Sequence, residues 1–177
     1  MTTNSKRLIL ASSSPRRREL LKKMGYDGIL LVPQKEELRT MYAHFGYQDA
    51  TTVAEFFCTD DPYPQPIHAI DPEEYARLRR QYLPEDSVLQ EGAGMALLAG
   101  YAKFYKGMDF VLAAAAEEES LLGIELLGNR EVAPGILCAL GYHQGTFRSP
   151  GGKKPFAMFL ALKPGAIAPS YFGLAFD

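Results

Sequence analysis

Gly25-Tyr26-Asp27-Gly28-Ile29-Leu30-Leu31-Val32-Pro33, followed shortly by Met41-Tyr42-Ala43-His44-Phe45-Gly46-Tyr47, is the stretch on which the fold turns. Ile29 to Val32 are consecutive apolar residues between Gly28 and Pro33, the pattern of a short strand buried on both faces. Pro33 ends it, because proline has no N–H to give to a ladder. From Gln34 to Phe45, the residues Leu38, Met41, Tyr42 and Phe45 fall on one face of a helix, and Gly46 supplies a left-handed ending. A buried strand therefore feeds a surface helix. Tyr42 sits on that helix's apolar face, where a tyrosine packs its ring and leaves its hydroxyl at a polar edge.

Working outward, a strand is expected at Arg7 to Ala11, a helix from Pro15 to Met24, and a further strand at Asp49 to Cys58. Strand alternating with helix is the signature of a mainly parallel sheet. Pro62, Pro64 and Pro66 then exclude helix and central strand, so residues 59–70 read as a linker. Beyond it, Asp71-Pro72-Glu73-Glu74 has the acid cap, first-position proline and acidic first turn of a helix running to about Tyr82. A second helix is expected from Val88 to Tyr105, then a hairpin of Phe110 to Ala116 with Leu121 to Leu127, and a short helix at Val132 to Leu140. Strands at Gly145 to Ser149, Pro155 to Leu162 and Tyr171 to Phe176 complete the reading. The fold class is α/β (α+β), a mixed sheet flanked by helices, built as one core or as two half-lobes: residues 1–58, the linker 59–70, and residues 71–177.

The chain has 177 residues, 47% of them hydrophobic, enough for one sizeable core. Its formal net charge of −2 offers no general basic surface, so nucleic acid is not expected as a partner. Cys58 and Cys138 stand apart, without a CxxC or a Cys/His cluster, which argues against structural zinc and a disulfide framework. No metal is expected. No apolar run reaches the ~20 residues that span a bilayer, and Met1 to Lys6 lacks the order of a signal peptide. A cytoplasmic protein without a membrane partner is the expectation.

Candidate chemistry is sparse. In Arg7-Leu8-Ile9-Leu10-Ala11-Ser12-Ser13-Ser14-Pro15-Arg16-Arg17-Arg18-Glu19-Leu20-Leu21, a strand ends in serines. Ser14 can cap a helix that begins at Pro15, so Ser13, Ser14, Arg16 and Arg17 gather amides, hydroxyls and cations where an anion could sit. Glu125, inside an apolar strand, is a general-base candidate if buried; alternation would otherwise face it to water. His44 diverges from Tyr42 by about 200° on a helix, so the two do not pair. Arg148 to Lys154 lacks the order of a P-loop and reads as a flexible hairpin turn.

Two resemblances follow from these residues. From about Gly25 onward the chain resembles the GNAT family of N-acetyltransferases, of the two-lobed kind. It does so through the strand and helix already quoted, Gly123-Ile124-Glu125-Leu126-Leu127-Gly128, Lys154-Pro155-Phe156-Ala157-Met158-Phe159, and Tyr171-Phe172-Gly173-Leu174-Ala175-Phe176-Asp177. The resemblance implies a GNAT-like mixed sheet and acetyl-CoA as cosubstrate. It further implies a cleft flanked by Leu31 and Val32, pyrophosphate contacts from Ser13, Ser14, Arg16 and Arg17, and Tyr42 as the acid that protonates the departing thiolate. The acceptor would be a small-molecule amine or a peptide. GNAT enzymes place further strands and helices ahead of this point and a glycine-bearing loop before the helix, whereas Ser12 to Met24 holds no glycine. A noncatalytic GNAT-derived module, pairing as a homodimer through exposed sheet edges, is the alternative. Residues 7–24 are in addition similar to the opening of the Maf nucleotide pyrophosphatases, which would imply metal-dependent hydrolysis. Nothing after Leu21 resembles that family's acidic and lysine motifs in order.

Overall fold

The computed structural model describes residues 7–9 and 14–175. In chain order the elements are β1 (Arg7–Ile9), α1 (Pro15–Lys23), β2 (Gly28–Leu31), α2 (Glu36–His44), β3 (Gln48–Asp49), β4 (Thr52–Thr59) and β5 (His68–Ile70). They continue with α3 (Pro72–Tyr82), α4 (Ala93–Leu98), β6 (Lys103–Lys106), β7 (Phe110–Ala116), β8 (Leu121–Gly128), α5 (Ala133–Leu140), β9 (Gln144–Pro155) and β10 (Met158–Ala161).

β2 is the expected strand and is buried along its whole length. It lies in a four-stranded sheet ordered β1-β2-β10-β3, parallel to β1 and antiparallel to β10. Ile29 and Leu31 join Met158, Leu21 of α1, Tyr47 and, at the margin, Tyr42 of α2. Leu30 and Phe159 turn to the opposite face and enter the main core. Both faces of β2 are thus covered, which is why its sequence is apolar without alternation.

The second sheet is ordered β4-β9-β8-β7-β6-β5. Its pairs are antiparallel except β8 with β9, which run parallel because α5 carries the chain across between them. The fold is therefore mixed α/β, with helices on the sheet faces. Tyr75 of α3 and Met95 and Leu98 of α4 pack on Phe104, Val111, Ala113, Ile124 and Leu127. On the other face Ala133, Ile136 and Leu137 of α5 pack on Phe110, Leu112, Ala114, Leu126 and Phe147. Strand pairing crosses residues 59–70 in both directions: β4 pairs with β9, and β10 returns to β2 and β3.

Four expectations are corrected. The helix foreseen from Val88 to Tyr105 is confined to Ala93–Leu98, because Gly92 enters it with φ +55° and Lys103–Lys106 pairs instead with β5 and β7. Tyr171 to Ala175 form no strand, although Tyr171, Phe172 and Leu174 are buried in the main core. Their apolar pattern serves packing rather than a ladder. Residues 148–154 are not a hairpin turn; they lie inside β9, where Val53 pairs with Lys154 and Ala54 with Ser149, so the intervening residues bulge out. Glycine is required there, since a Cβ on Gly152 would lie 2.2 Å from the Ala54 backbone. The fourth is the mainly parallel sheet: among the described pairs only β1 with β2 and β8 with β9 run parallel, and the rest are antiparallel. Of the two readings of Glu125, burial holds, since it faces no solvent (0% exposed). Ala113 pairs with Glu125 and Ala114 with Gly123, so Ile124 is an extra residue in β8 that breaks the alternation. Glu125 consequently turns toward α3 rather than outward.

Candidate functional site

α1 begins at Pro15, with Ser14 extended at the N-cap and no acid in its first turn. The helix dipole and the arginines that follow leave this end positive. Arg16 and Arg17 are exposed, whereas Arg18 turns inward on the side of Leu21, one turn later. The Arg18 guanidinium lies 5.7 Å from the ring centres of both Phe45 and Tyr47. Its Nε and Nη2 are buried without a hydrogen-bond partner. The negative ring faces stabilise the cation in part, but two of its donors remain unused.

Tyr47 carries the contact onward. Its buried ring meets that of Tyr42 edge to face, with centres 5.5 Å apart and planes at 67°. Burial raises the Tyr47 pKa; the Arg18 charge opposes this and Tyr42 adds to it. Tyr42 itself is half-buried at the C-terminal end of α2. His44 is exposed, with its Nδ1 2.8 Å from the Thr40 carbonyl oxygen, so it takes no part.

Of the residues foreseen from the sequence, Ser14, Arg16 and Arg17 stand at the start of α1, and Leu31 and Tyr42 share the apolar layer that α1 and α2 form over β2. Val32 packs on the opposite, main-core side. Ser13 lies outside the described residues. Arg18 and Tyr47 were not foreseen. The signal for Arg18 was available in its three-residue spacing from Leu21, which puts both on the inward face of α1.

Glu125 belongs to a different assembly, between α3 and β8. Arg79 donates from Nε to Glu125 Oε2 at 2.6 Å and from Nη2 to Oε1 at 2.9 Å, a bidentate pair, and from Nη1 to the Val88 carbonyl at 3.0 Å. Tyr75 donates its hydroxyl to Glu125 Oε2 at 2.9 Å. The Tyr171 hydroxyl lies close enough to feel the same carboxylate without a well-aligned hydrogen bond. Burial, and then the Glu125 charge, push the Tyr75 and Tyr171 pKa values up. Burial would lower the Arg79 pKa, but Glu125 overrides it and raises it. Both Glu125 oxygens are engaged and the group is sealed from solvent, so no acceptor amine reaches it in this arrangement.

Among the described residues no helix is long and apolar enough to cross a membrane. No family model matches the sequence, and no curated protein matches it significantly. Solved structures do. A conserved protein from Enterococcus faecalis V583, described as a probable N-acyltransferase, is similar with a TM-score of 0.54 at 12% identity, over 83% of this chain and 48% of its own. A GCN5-related N-acetyltransferase from Kribbella flavida gives a TM-score of 0.56 at 13% identity, over 84% of this chain and 47% of its own. One from Anabaena variabilis gives 0.56 at 11% identity, over 84% and 49%. The chain spans about half the length of these proteins. At such identities the likeness is one of fold, and the fold of this chain is that of the GNAT N-acetyltransferases.

Proposed function

We propose that the chain is a GNAT-like acyltransferase that moves an acetyl group from acetyl-CoA to an amine. One observation carries the reading: the positive start of α1 is joined to Tyr42 through Arg18 and Tyr47, whose rings and cation are in contact. A CoA-type ligand needs anion-binding amides and cations at one end and an acid at the other, and these residues supply both. Swung outward from the Phe45 and Tyr47 rings, Arg18 would offer its two unused donors to a phosphate oxygen. The absence of glycine from Pro15 to Lys23 keeps the backbone farther from such a group than a glycine loop would.

Bound there, acetyl-CoA would supply an activated acyl thioester. Ser14, Arg16, Arg17 and Arg18 would hold its phosphates by charge and orient it along α1. Leu31, buried beneath α1 and α2, would support these residues from the β2 side. Attack by the amine nitrogen on the carbonyl carbon forms the amide bond and breaks the carbon–sulfur bond. Tyr42 would give its phenolic proton to the departing sulfur and recover one from water. The proton lost by the amine would pass to solvent, since Glu125 is occupied by Arg79 and Tyr75. The acceptor is a small-molecule amine or a peptide.

Isothermal titration with acetyl-CoA tests this, with a nucleoside triphosphate and magnesium injected in parallel. Micromolar binding of acetyl-CoA without nucleotide binding supports the reading. Nucleotide binding alone would point to a Maf-like hydrolase, and silence from both to a noncatalytic module. Where acetyl-CoA binds, thiol release in the presence of amines measures turnover. Tyr42→Phe is then expected to lower kcat by about 10²-fold with little change in affinity.

A further inference from the structure

A concavity opens on the six-stranded sheet, away from α1 and α2. α5 packs over β4 and β9, at one end of the sheet. On the same face β6 and β7 continue past the helix. Lys103 stands opposite Ala114, and Tyr105 opposite Leu112. The alanines of β7 leave a shallow floor where larger residues would have filled it. Tyr101 and Tyr105 rise on one side, and Leu140 and Tyr142, at and just after the end of α5, on the other. The resulting trough has a volume of about 380 Å³, within the range of small-molecule sites.

Its chemistry is selective. Lys103 is the one charged side chain lining it. Among the described residues Lys103 makes no ion pair, and the hydroxyls of Tyr105 and Tyr142 make no hydrogen bond. Burial, and then Tyr142, raise the Tyr105 pKa, in keeping with two phenols facing one space. Glu118 and Glu119 line the adjoining depression, which shares Tyr142 with the trough. An anion is therefore repelled at that end and drawn to the Lys103 end.

We propose that this trough is a binding site for a planar aromatic carboxylate, whose ring lies on the alanine floor between Tyr101, Tyr105 and Tyr142 and whose carboxylate meets Lys103. The tyrosines present π faces and edges to the ring and hydroxyl donors to its polar substituents. The ammonium gives a charge-assisted bond in a half-enclosed setting.

The test is titration of the full chain with 2-naphthoate, followed by the chemical shifts of the Tyr105, Tyr142 and Lys103 resonances, with 2-naphthylmethylamine as the cationic control. Saturable shifts confined to these residues are expected with the acid and not with the amine. Lys103→Gln, at an exposed position, should weaken binding about tenfold, the loss of one charge-assisted bond. Ala116→Leu, also exposed, should abolish it by filling the floor while leaving the remaining spectrum unchanged. The proposal is overturned if naphthoate causes no saturable shift, if the amine binds as well as the acid, or if Lys103→Gln binds naphthoate as tightly as the parent chain.

Discussion

Arg79 and Arg18 both have guanidinium nitrogens shut away from solvent, and the two are treated in opposite ways. Arg79 has its cation matched by a bidentate carboxylate and a carbonyl, inside a layer that α3 closes over β8. Arg18 has two ring faces and two buried donors without a partner, on the inward side of α1. A satisfied buried charge holds a structure in one arrangement, while an unsatisfied one retains the capacity to bind. The contrast separates the part of the molecule that maintains the fold from the part on which the proposed acyl transfer depends.

The largest effect should come from breaking the satisfied pair. Glu125→Leu leaves the Arg79 charge buried and uncompensated and is expected to cost about 3–5 kcal/mol in urea unfolding. Tyr42→Phe, on the other side of the comparison, should cost no more than about 0.5 kcal/mol. The double variant Arg79→Met with Glu125→Leu removes both charges and should recover most of the loss. A double variant no more stable than Glu125→Leu alone would show that packing rather than charge explains the single variant.

Gly173→Ala probes the same assembly sterically. A Cβ there would sit 1.9 Å from the Tyr171 hydroxyl and 2.7 Å from Glu125 Oε1. Tyr171 is held in the core and Glu125 by Arg79, so neither yields cheaply; the expected cost is about 1–3 kcal/mol. Unchanged stability would mean that Tyr171 repacks freely and that the assembly is less fixed than its contacts imply.

What the sequence disclosed follows the same division. β2 was legible because four apolar residues between glycine and proline allow few other structures, and α3 because its cap, proline and acids coincide. The side that Glu125 faces stayed open because a single extra residue, Ile124, inverts the alternation, and a bulge leaves no mark in composition. The Val88–Tyr105 stretch misled because apolar residues at helical spacing also suit a short helix followed by a buried strand. For the candidate site, Tyr42 was named through the family resemblance, and the start of α1 from its serines, proline and arginines. Their connection through Arg18 and Tyr47 could not be named, since it depends on how α1 and α2 settle together over β2.

Arg18→Met sharpens the unsatisfied side of the comparison. It keeps the apolar stem on Phe45 and Tyr47 and removes only the guanidinium, so stability should change by less than about 1 kcal/mol. Acetyl-CoA affinity, measured by titration, should fall about tenfold if the two free donors meet phosphate. A large loss of stability with no loss of affinity would move Arg18 to the structural side of the comparison.

Between these extremes stands Glu55 of β4, half-buried beside Arg148 and Lys154 of β9. Arg148 also lies over the Phe156 ring at 5.4 Å. Burial pushes the Glu55 pKa up, but hydrogen bonds and charge from Lys154 and Arg148 outweigh it and hold the carboxyl below its ordinary value of 4.5. Because the folded value is the lower one, the unfolded chain takes up the proton first on acidification. The stabilisation is complete above the ordinary value and is lost as pH falls through the folded one. Lys154 is more than half exposed, so solvent screens its share and the whole contribution should be about 0.5–1 kcal/mol. Unfolding midpoints measured from pH about 6 down to about 3 should therefore fall more steeply for the parent chain than for Glu55→Gln. Parallel curves would show that β4 and β9 are held by their ladder alone, with the charges as bystanders.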